Sequence, residues 1–506
     1  MPAPTTQSTF RKWFVPDIAF ILSTITMLYC LTSFNGMQYL FRDSDTGWHI
    51  RNGEKVLATH EVPQREPYSF SKPGGPWFAW EWLADTVMAK AHQWDGLRGV
   101  FYLYIGVLGL VSWLWFQLMW TTGCWFLPTC VSTWVMLTSC NIHWLARPHL
   151  FGWVFSTLSV LAAEKAREGW DWPRVALAFV CGCLWANMHG SFFLGAAILF
   201  LYATEAWLRS RMDGNQRWKS LFAMGMAVSL ASFVNPYGWQ VHLHIIHYLQ
   251  DTELLARIGE FQTFNFHTAG AEAIVIGMIL LATGIGLNVV QGRWARAVLC
   301  LVMFAGALRS ARGLPLMAVV GLPLALSAIC QAILDVKLPE RFAKMRDGFV
   351  QYNMNLRKME LGFGGMALAP VVMLILIFVS QSTMFARKAG FPEEQFPEKL
   401  MADVAKLPAD ARIFAPDKFG GYMLYWFAGQ RKVFFDGRSD YYGADFLKDY
   451  LLIIEGRPGW QEQWKKWSFS HAVVPKDSPL VELLPLKGWK QIARDEVAIL
   501  YGKGLD

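Results

Sequence analysis

The residues best suited to chemistry stand in the segment FRDSDTGWHIRNGE, directly after the first apolar run of the chain. Asp43 and Asp45 are one residue apart, and His49 follows them. Two carboxylates at this spacing could hold a divalent cation such as Mg²⁺ or Mn²⁺ through hard oxygen ligands. Alternatively, one could act as a general base on a hydroxyl while the other is structural, or both could form a solvated acidic turn. We predict Asp45, Asp43 and His49 as catalytic residues, with Asp43 and Asp45 as candidate metal ligands.

Three arginines stand at the ends of later apolar runs. Arg147 lies in LARPHL, and Arg309 and Arg312 lie in LRSARGLP. The planar donors of a guanidinium group meet two phosphate oxygens at once, so a lipid phosphate or pyrophosphate is a natural ligand. Arginines also anchor helix ends at a membrane surface, and that alternative stays open for each of them. The pattern predicts Arg147, Arg309 and Arg312 as phosphate-binding residues.

Further polar side chains predict the wall of a cavity. Asn187 and His189 stand in WANMHGSF, and Glu260 stands in a polar connection. Polar groups at membrane depth are costly unless they face a cavity or one another, although helix-end residues can also reach the headgroups. In VHLHIIH, His244 and His247 are nearly one helical turn apart, but no acidic residue is close in the sequence. We assign Asn187, His189 and Glu260 to the cavity wall and expect no metal at the two histidines of VHLHIIH.

The composition indicates what kind of chain positions these residues. Of 506 residues, 54% are hydrophobic and only 17% are charged, with a mean hydropathy of +0.26. Soluble domains carry about 25% charged residues, so this composition is typical of a polytopic α-helical membrane protein. The net charge of +7 comes from basic residues between apolar runs, which predicts topology signals and no nucleic-acid partner. The eight cysteines lie in or beside apolar runs, so we expect no disulfide framework.

The hydropathy pattern predicts about eleven transmembrane (TM) helices. Their approximate ranges are 16–36, 99–120, 123–141, 149–165, 174–192, 192–209, 219–236, 271–290, 295–310, 313–334 and 361–383. The connections that carry most of the Lys and Arg fall on one side, which the positive-inside rule makes cytoplasmic. An N-terminus inside and an odd number of spans then place the C-terminus outside.

Two large segments fall on the outer side in this topology. The transmembrane domain, 1–383, contains the first, a loop at 37–98 with an amphipathic helix predicted to lie on the membrane surface. The second is the tail, 384–506, predicted as a small extracytoplasmic α/β domain. Its strand-like segments are RIFAP, GGYMLYWFA, KVFFD, HAVVP, WKQIARD and VAILYGK. In VFFDGRSDYY, we favour an Asp436–Arg438 pair that stabilises a tight turn over a binding crevice at a strand end.

The order of these features resembles that of the GT-C fold membrane glycosyltransferases. There, too, one span leads into a long outer loop with an acidic motif, followed by a surface helix and many further spans. DSDTGWHIRNGE, PYSF and WFAWEWLA are similar to the first-loop signature of a bacterial branch of that superfamily, D-x-D-T-x-W-H. Other blocks of that branch are similar to RPHLF, WANMHGSF, NPYG, GGYMLYW and FFDGRSDYY.

The resemblance implies an inverting glycosyltransferase of the bacterial inner membrane, with its tail in the periplasm. Such enzymes transfer a sugar from a polyprenyl-phosphate carrier, at the outer face, to an acceptor that here is left open: a glycan, a lipid or a protein. Asp45 matches the catalytic base and Asp43 a second carboxylate; some relatives need a divalent metal and others do not. Many relatives carry Glu where Thr46 stands in this chain. The donor phosphate would be bound by Arg147, Arg309 and Arg312.

Two other interpretations stay open. A ligase or polymerase resembling the O-antigen enzymes would move a whole glycan from a lipid pyrophosphate, and the segment 237–270 with three close histidines is comparable to their large late loop. A transporter or lipid-handling scaffold would be non-catalytic, although transporters typically show inverted repeats and we find none in this sequence. Loss of activity in Asp45→Asn would favour the first interpretation. Loss of activity only on substituting the histidines between positions 242 and 247 would favour the second interpretation. Unchanged activity in both sets of variants would favour the third.

Overall fold

A helix forms at each apolar run predicted to span the membrane. The computed structural model describes residues 6–33, 35–382 and 388–503. Its first nine helices are α1 (Thr6–Phe14), α2 (Ile18–Thr32), α3 (Asp45–Thr59), α4 (Trp82–Thr122), α5 (Phe126–Asn141), α6 (His149–Glu164), α7 (Trp172–Met188), α8 (Phe193–Asp213) and α9 (Arg217–Ala231). They are followed by α10 (Gln240–Gln250), α11 (Thr252–Leu255), α12 (Ala271–Val290), α13 (Trp294–Arg309), α14 (Gly313–Leu316), α15 (Leu322–Asp335), α16 (Glu340–Glu360) and α17 (Ala369–Ser380).

Four helical stretches of the described chain are long and apolar enough to cross a membrane. They are Trp82–Thr122, Gly190–Asp213, Ala271–Val290 and Gly313–Asp335, and two shorter apolar helices are Ile18–Thr32 and Met366–Ser380. The protein is therefore a mostly helical, multi-pass membrane protein. The count of eleven spans and the orientation stay predictions. The predicted boundary between residues 383 and 384 lies outside the described residues.

Helix α4 combines a predicted surface helix and a predicted span. Asp95 (φ −150°, ψ 38°) and Gly96 (φ +56°, ψ −143°) interrupt its helical backbone. Before this break the helix is amphipathic, and after it the helix is apolar and largely buried. The break lets the polar first half follow the outer loop while the second half enters the bundle.

Three bundle helices connect two polar ends of the molecule. Helix α6 starts at His149 beside Arg147, α8 starts just after His189, and α13 stops at Arg309, before Arg312. We call this the site end. The other termini of the three helices define the opposite end. With 16, 21 and 16 residues in these helices, the two ends are about 24–32 Å apart at 1.5 Å per residue.

The tail contains a small mixed sheet and six helices. Its strands are β1 (Ile413–Phe414), β2 (His471–Pro475), β3 (Trp489–Arg494) and β4 (Ala498–Lys503), in the order β1-β2-β4-β3. The pair β1–β2 is parallel, and β4 is antiparallel to both β2 and β3. The helices are α18 (Glu398–Ala405), α19 (Asp417–Trp426), α20 (Ser439–Tyr442), α21 (Ala444–Ile454), α22 (Trp460–Trp467) and α23 (Leu480–Leu483). Four of the six strand-like segments thus match strands.

The other two strand-like segments were predicted wrongly. GGYMLYWFA lies almost entirely in α19, because a short, continuously buried apolar run alone does not distinguish a strand from a helix. KVFFD lies outside the sheet and pairs with the first loop instead. The amide of Val433 donates to the Tyr68 carbonyl at 2.9 Å, and the amide of Phe70 donates to the Val433 carbonyl at 3.0 Å. The first loop and the tail therefore share backbone hydrogen bonds.

Two glycines bring α19 of the tail against α3 of the first loop. A Cβ atom on Gly47 would lie 2.2 Å from the carbonyl oxygen of Gly421, and a Cβ on Gly421 would lie 2.3 Å from the carbonyl oxygen of Ser44. Any side chain at either position would push the two helices apart. Since α3 begins at Asp45, this contact fixes the tail directly against the acidic motif.

Candidate functional site

A cavity of about 410 Å³ opens at the site end. Its wall combines side chains from the first loop, the bundle and the tail. Acidic, basic and aromatic groups face the same space, among them Asp45, Glu81, Arg312, Trp153, Tyr248 and Asp440. Three parts of the chain that are remote in sequence thus form the wall of one cavity.

The predicted carboxylates converge on a single guanidinium group. Arg147 lies 2.6 Å from Asp43, 2.8 Å from Asp45 and 2.9 Å from Glu260. Arg312 binds the other oxygen of Glu260, with its Nε at 2.6 Å. Charge-assisted hydrogen bonds of this kind are short and geometrically specific. The sequence prediction thus grouped residues that meet in space, although Arg147 binds carboxylates here.

The start of α3 explains how Asp43 and Asp45 are held. The Asp43 carboxylate accepts a hydrogen bond from the backbone amide of Asp45 at 2.9 Å, and Asp45 occupies the first turn of the helix, where a negative charge is favourable. Thr46 is fully buried, and its hydroxyl donates to the carbonyl of Ala146 at 3.0 Å. The buried Thr46 therefore fixes the backbone beside Arg147.

The acidic groups of this cluster have different proton affinities. Burial raises the pKa of Asp45 well above its ordinary value, and the nearby carboxylates of Asp43 and Glu260 add to this effect against the opposing charge of Arg147. Burial also opposes ionisation of Glu260, but the guanidinium groups of Arg312 and Arg147 hold the pKa of Glu260 well below its usual range. Asp45 is consequently the better proton acceptor of the two.

His49 belongs to a buried polar chain beside the acidic cluster. Its Nδ1 lies 2.6 Å from Asp85, whose second oxygen accepts from Asn52 at 2.7 Å. We assign the proton to Nδ1, because both Asp85 oxygens then act as acceptors. The His49 Nε2 is directed toward Glu81, at 3.9 Å, and Glu81 lies 3.7 Å from the Nε2 of His189.

Burial keeps His49 and Glu81 neutral. It lowers the pKa of His49 well below its ordinary value. Burial, assisted by the nearby Asp85, raises the pKa of Glu81 to about 8. At neutral pH, these residues offer hydrogen-bond donors and acceptors to a ligand without adding net charge.

The tail closes the cavity through the segment 436–440. Arg438 is buried and binds Asp436 through two hydrogen bonds, at 2.5 and 2.9 Å, and Glu66 of the first loop at 2.7 Å. The predicted Asp436–Arg438 pair is therefore present, and it also joins the tail to the loop. Gly437 has φ +85°, and a Cβ there would lie 2.7 Å from a carboxylate oxygen of Asp45. This turn touches the predicted catalytic residue directly.

Helix α10 contacts the same tail segment. His244 lies 3.2 Å from the carboxylate of Asp440, and the hydroxyl of Tyr248 lies 3.4 Å from that of Ser439. An acidic partner for VHLHIIH thus exists, but it comes from the tail and is not visible in the local sequence. Across residues 6–33, 35–382 and 388–503, no three His, Cys, Asp or Glu side chains are arranged to hold a metal ion.

Most of the predicted site residues meet at the cavity. Those that line it are Asp45, His49, Arg147, His189, Glu260 and Arg312. Asp43 stands behind them and reaches the site through Arg147.

Two predicted site residues do not face the cavity. Arg309 is an exposed residue in the last turn of α13. The chain turns after Arg309, and this turn directs Arg312 toward the cavity. Asn187 is buried behind the wall, where its amide donates to the carbonyls of Cys183 and Val234 and accepts from the Trp82 indole at 2.7 Å. It positions the start of α4 and leaves no amide hydrogen for a ligand.

The sequence prediction missed several residues of the wall, namely Trp80, Glu81, His143, His149, Tyr248 and Asp440. A usable signal existed for Glu81, since it precedes an amphipathic helix in the same loop as Asp45. It also existed for His149, which follows Arg147 in RPHL. The role of Asp440 depends on the docking of the tail, which no local pattern shows.

The carboxylates do not form a metal-ligand set as they stand. Asp43, Asp45 and Glu260 all direct an oxygen to Arg147, so a guanidinium group occupies the point where their charges converge. Hard oxygen ligands suit Mg²⁺ or Mn²⁺, but an ion bound by Asp43 and Asp45 would compete with Arg147 for the same oxygens. A metal at these two residues stays a prediction.

Solved structures of one protein share this architecture. Archaeal oligosaccharyltransferase AglB from Archaeoglobus fulgidus, in complex with an inhibitory peptide and a dolichol-phosphate, matches at a TM-score of 0.56 and 11% identity, covering 90% of this chain and 69% of that one. The Archaeoglobus fulgidus enzyme tethered to an acceptor peptide matches at a TM-score of 0.56 and 10% identity, covering 90% of this chain and 68% of that one. The complex of that enzyme with Zn and sulfate matches at a TM-score of 0.50 and 12% identity, covering 90% of this chain and 68% of that one.

This chain has the GT-C fold. The resemblance seen in the sequence motifs is thereby confirmed at the level of the fold. No protein-family model and no curated protein matches the sequence. The assignment to the branch with the pattern D-x-D-T-x-W-H stays a prediction.

Proposed function

We propose that this protein is a membrane glycosyltransferase that transfers a sugar from a polyprenyl-phosphate-linked donor to an acceptor. The GT-C fold shared with oligosaccharyltransferase over 90% of the chain supports this class of enzyme. The observation that carries the proposal is the placement of Asp45 and Arg312 in one cavity at the end of the bundle. A proton acceptor and a phosphate-binding cation then face the same space.

The reaction needs one bond to form and one to break. The acceptor hydroxyl gives its proton to the Asp45 carboxylate, and its oxygen attacks C1 of the sugar. The bond between C1 and the phosphate oxygen breaks on the opposite face, so the configuration at C1 inverts and polyprenyl phosphate leaves. The raised pKa of Asp45 makes its carboxylate a stronger base than that of a free aspartate, as a general base requires.

Arg147 and Arg312 then have different tasks. Arg147 is bound to three carboxylates, so we assign it to positioning Asp43 and Asp45. Among the described residues, the Arg312 guanidinium is bound to Glu260 alone; it is 37% exposed and stacked over Phe261. It can meet the leaving phosphate, whose charge develops as the bond to C1 breaks. Glu81, His49 and His189 would hold the hydroxyl groups of the sugar.

The cavity has an apolar side that suits a prenyl chain. Phe193 and Leu249 line it, and they are 43% and 44% exposed at the bundle surface. Apolar side chains that are shared by a cavity and a lipid-facing surface provide a path between the bilayer and the site. The solved relative carries dolichol-phosphate, which is also a polyprenyl-phosphate lipid.

The topology and the tail complete this proposal. With about eleven spans and the N-terminus inside, the site end faces the outside of the bacterial inner membrane, and the domain formed by residues 384–506 lies in the periplasm. We propose that this domain helps to bind the acceptor, because its segment 437–440 lines the cavity. A glycan, a lipid and a protein all remain candidate acceptors.

A divalent metal could bind Asp43 and Asp45 only by displacing the Arg147 guanidinium from their carboxylates. Since Arg147 already supplies positive charge there, we expect chelation by EDTA to change the rate by less than about twofold. A loss that Mn²⁺ restores, in the purified protein, would assign the ion to these carboxylates.

Transfer of a whole glycan is the second candidate function. Two observations favour it: the solved structures that share the fold are oligosaccharyltransferases, and α10 with its histidines contacts the tail at the cavity. A lipid pyrophosphate that carries an oligosaccharide would then be the donor. Loss of transfer in His244→Gln, with full activity in Asp45→Asn, would favour this candidate.

The test is a transfer assay with the full-length protein in lipid nanodiscs. Undecaprenyl phosphate carrying one radiolabelled hexose is supplied with an envelope extract as acceptor, and a panel of hexoses is screened. Release of undecaprenyl phosphate with label in the extract supports the proposal. Activity only with an oligosaccharyl pyrophosphate selects the second candidate. Inactivity with all donors in a well-folded sample favours a transporter or scaffold.

A further inference from the structure

A second cavity, of about 300 Å³, lies at the opposite end of the bundle. It is enclosed by α6, α8, α9 and the connection that leads into α13. Four arginines face three carboxylates in its wall: Arg209, Arg217, Arg293 and Arg296, and Glu164, Glu205 and Asp213. Such a concentration of guanidinium groups exceeds what isolated helix ends require.

Two of these carboxylates are fully occupied by protein partners. Arg296 binds Glu164 at 2.6 and 2.8 Å, and the Tyr202 hydroxyl donates to the same residue at 2.7 Å. Glu205 pairs with Arg209, and its other oxygen accepts from the first turn of α13 at 2.6 Å. These pairs neutralise one another and leave Arg217, Arg293 and Asp213, and an oxygen of Asp213 accepts from the backbone amide of Asn215 at 2.9 Å.

Arg293 and Arg217 both line the cavity, and each has at least one donor without a partner among the described residues. Within the part of the chain that the structure describes, the guanidinium of Arg293 makes no hydrogen bond and no ion pair. Arg217 donates to the carbonyl of Glu164 at 3.1 Å, but its buried Nε has no partner among the described residues. Burial and the neighbouring Arg296 lower the pKa of Arg293, which shows that its positive charge is poorly compensated. An anion in the cavity would supply what is missing.

We propose that this cavity binds a phosphate group, with Arg293 and Arg217 as its ligands. Guanidinium groups match phosphate oxygens through paired donors, and basic pockets between membrane helices commonly hold the headgroups of anionic lipids. The phosphate could also belong to a soluble compound. Trp207 and Trp294 favour the lipid, because both are exposed directly beside cavity residues and indole prefers the depth of the headgroups.

This site is independent of the proposed glycosyl transfer. About 24–32 Å of helix separate it from the cavity that contains Asp45, and the two cavities share no residue. It serves as an anchor for a lipid in the other leaflet, whatever reaction occurs at the site end.

The test compares lipids in native mass spectrometry of the full-length protein. Phosphatidylglycerol and phosphatidylcholine of equal chain length are titrated against wild type, Arg293→Gln, Arg293→Lys and Arg211→Gln. Arg293 suits this test because its guanidinium has no partner to lose among the described residues. Arg211 is an exposed arginine in the last turn of α8, at the same end of the bundle, and is stacked on Trp207. Thermal unfolding of each variant without lipid checks that it is folded.

We expect wild type to bind phosphatidylglycerol more tightly than phosphatidylcholine. Arg293→Gln should bind phosphatidylglycerol about tenfold more weakly than wild type does. Arg293→Lys should recover part of the binding, and Arg211→Gln should match wild type. Displacement of the lipid by millimolar inorganic phosphate would identify a soluble phosphate compound as the ligand of the same pocket. Equal binding of the two lipids to wild type, without any effect of inorganic phosphate, would overturn the proposal, as would unchanged binding in Arg293→Gln.

Discussion

The two ends of helices α6, α8 and α13 carry opposite chemistry. At the site end, Asp43, Asp45 and Glu260 surround Arg147, and aromatic and neutral polar groups complete the wall. At the opposite end, arginines outnumber carboxylates, and Tyr202 is the one aromatic residue of the cavity wall among the described residues. The same three helices thus end in an acidic cavity on one side and in a basic one on the other.

The difference comes from what covers each end. The site end is covered by the first loop and the tail, which add Asp45, Glu81 and Asp440 to residues of the bundle. The opposite end has only residues from the helix ends themselves and their short connections. Chemistry with several roles therefore requires segments from outside the bundle, whereas a binding site for one anion can be made from helix ends alone.

The largest effect is expected from removing the base. Asp45→Asn should lower the transfer rate by about 100-fold to 10,000-fold, because the amide cannot accept the proton of the acceptor. Asp43→Asn is the matched variant: it loses the same kind of contact with Arg147 but does not line the cavity. Its rate should fall much less. Initial rates with saturating donor decide the point, and equal losses in the two variants would contradict the role given to Asp45.

A smaller effect is expected at the arginines of LRSARGLP. Arg312→Gln should weaken donor binding and phosphate departure, lowering kcat/KM for the donor by about 10-fold to 100-fold. Arg309→Gln, three residues away and exposed, should stay within about twofold of wild type. A steady-state titration of the donor separates the two. If both variants lose activity alike, then the chain near Arg312 acts through its fold and not through phosphate.

The docking of the tail should respond to one methyl group. Gly47→Ala places a Cβ 2.2 Å from a backbone oxygen of Gly421, so it should destabilise the protein by about 1–3 kcal/mol and reduce transfer. Gly286→Ala, in a membrane helix with open space around the glycine, should be neutral or slightly stabilising. Thermal unfolding in detergent compares the two. An unchanged midpoint in Gly47→Ala would show that the tail does not depend on this contact.

The last prediction is a pH dependence of stability. Burial raises the pKa of Glu81 from 4.5 to about 8, so the folded state holds a proton that the unfolded state releases between these values. Its contribution to stability is complete below about pH 4.5, decreases as the pH rises and is lost above about pH 8.

The variant Glu81→Gln isolates this contribution. Its unfolding midpoint should decrease less than that of wild type between pH 5 and pH 8, because the amide releases no proton. Glu61→Gln, at an exposed position in the same loop, should follow wild type. Parallel curves for wild type and Glu81→Gln would show that Glu81 is already ionised in the folded protein.

The sequence predicts the helices of the bundle well because each apolar run is long enough to indicate a helix. All the predicted spans contain a helix, and the acidic motif, Arg147 and Glu260 meet as their shared side of the membrane suggested. Arg309 does not face the cavity, because the turn formed by residues 310–312 directs Arg312 toward it instead. The hydropathy pattern has no information on such turns.

The structure of the tail was predicted less well from the sequence. The segment around Val433 was misassigned because its backbone pairs with the first loop, much earlier in the chain, and α19 contacts the same loop through Gly421. The partnership of His244 with Asp440 was missed for the same reason. Contacts between remote segments depend on how the whole chain folds, and no local pattern encodes them.

The most direct test of the account is mass spectrometry of the lipids that gently purified protein retains. We predict polyprenyl phosphate, with or without one sugar, in wild type and in Arg293→Gln, and its loss in Arg312→Gln. That result would place the carrier at the site end of the bundle. If wild type retains only bulk phospholipid, even after incubation with polyprenyl phosphates, the claim that this cavity binds a polyprenyl-phosphate donor is contradicted.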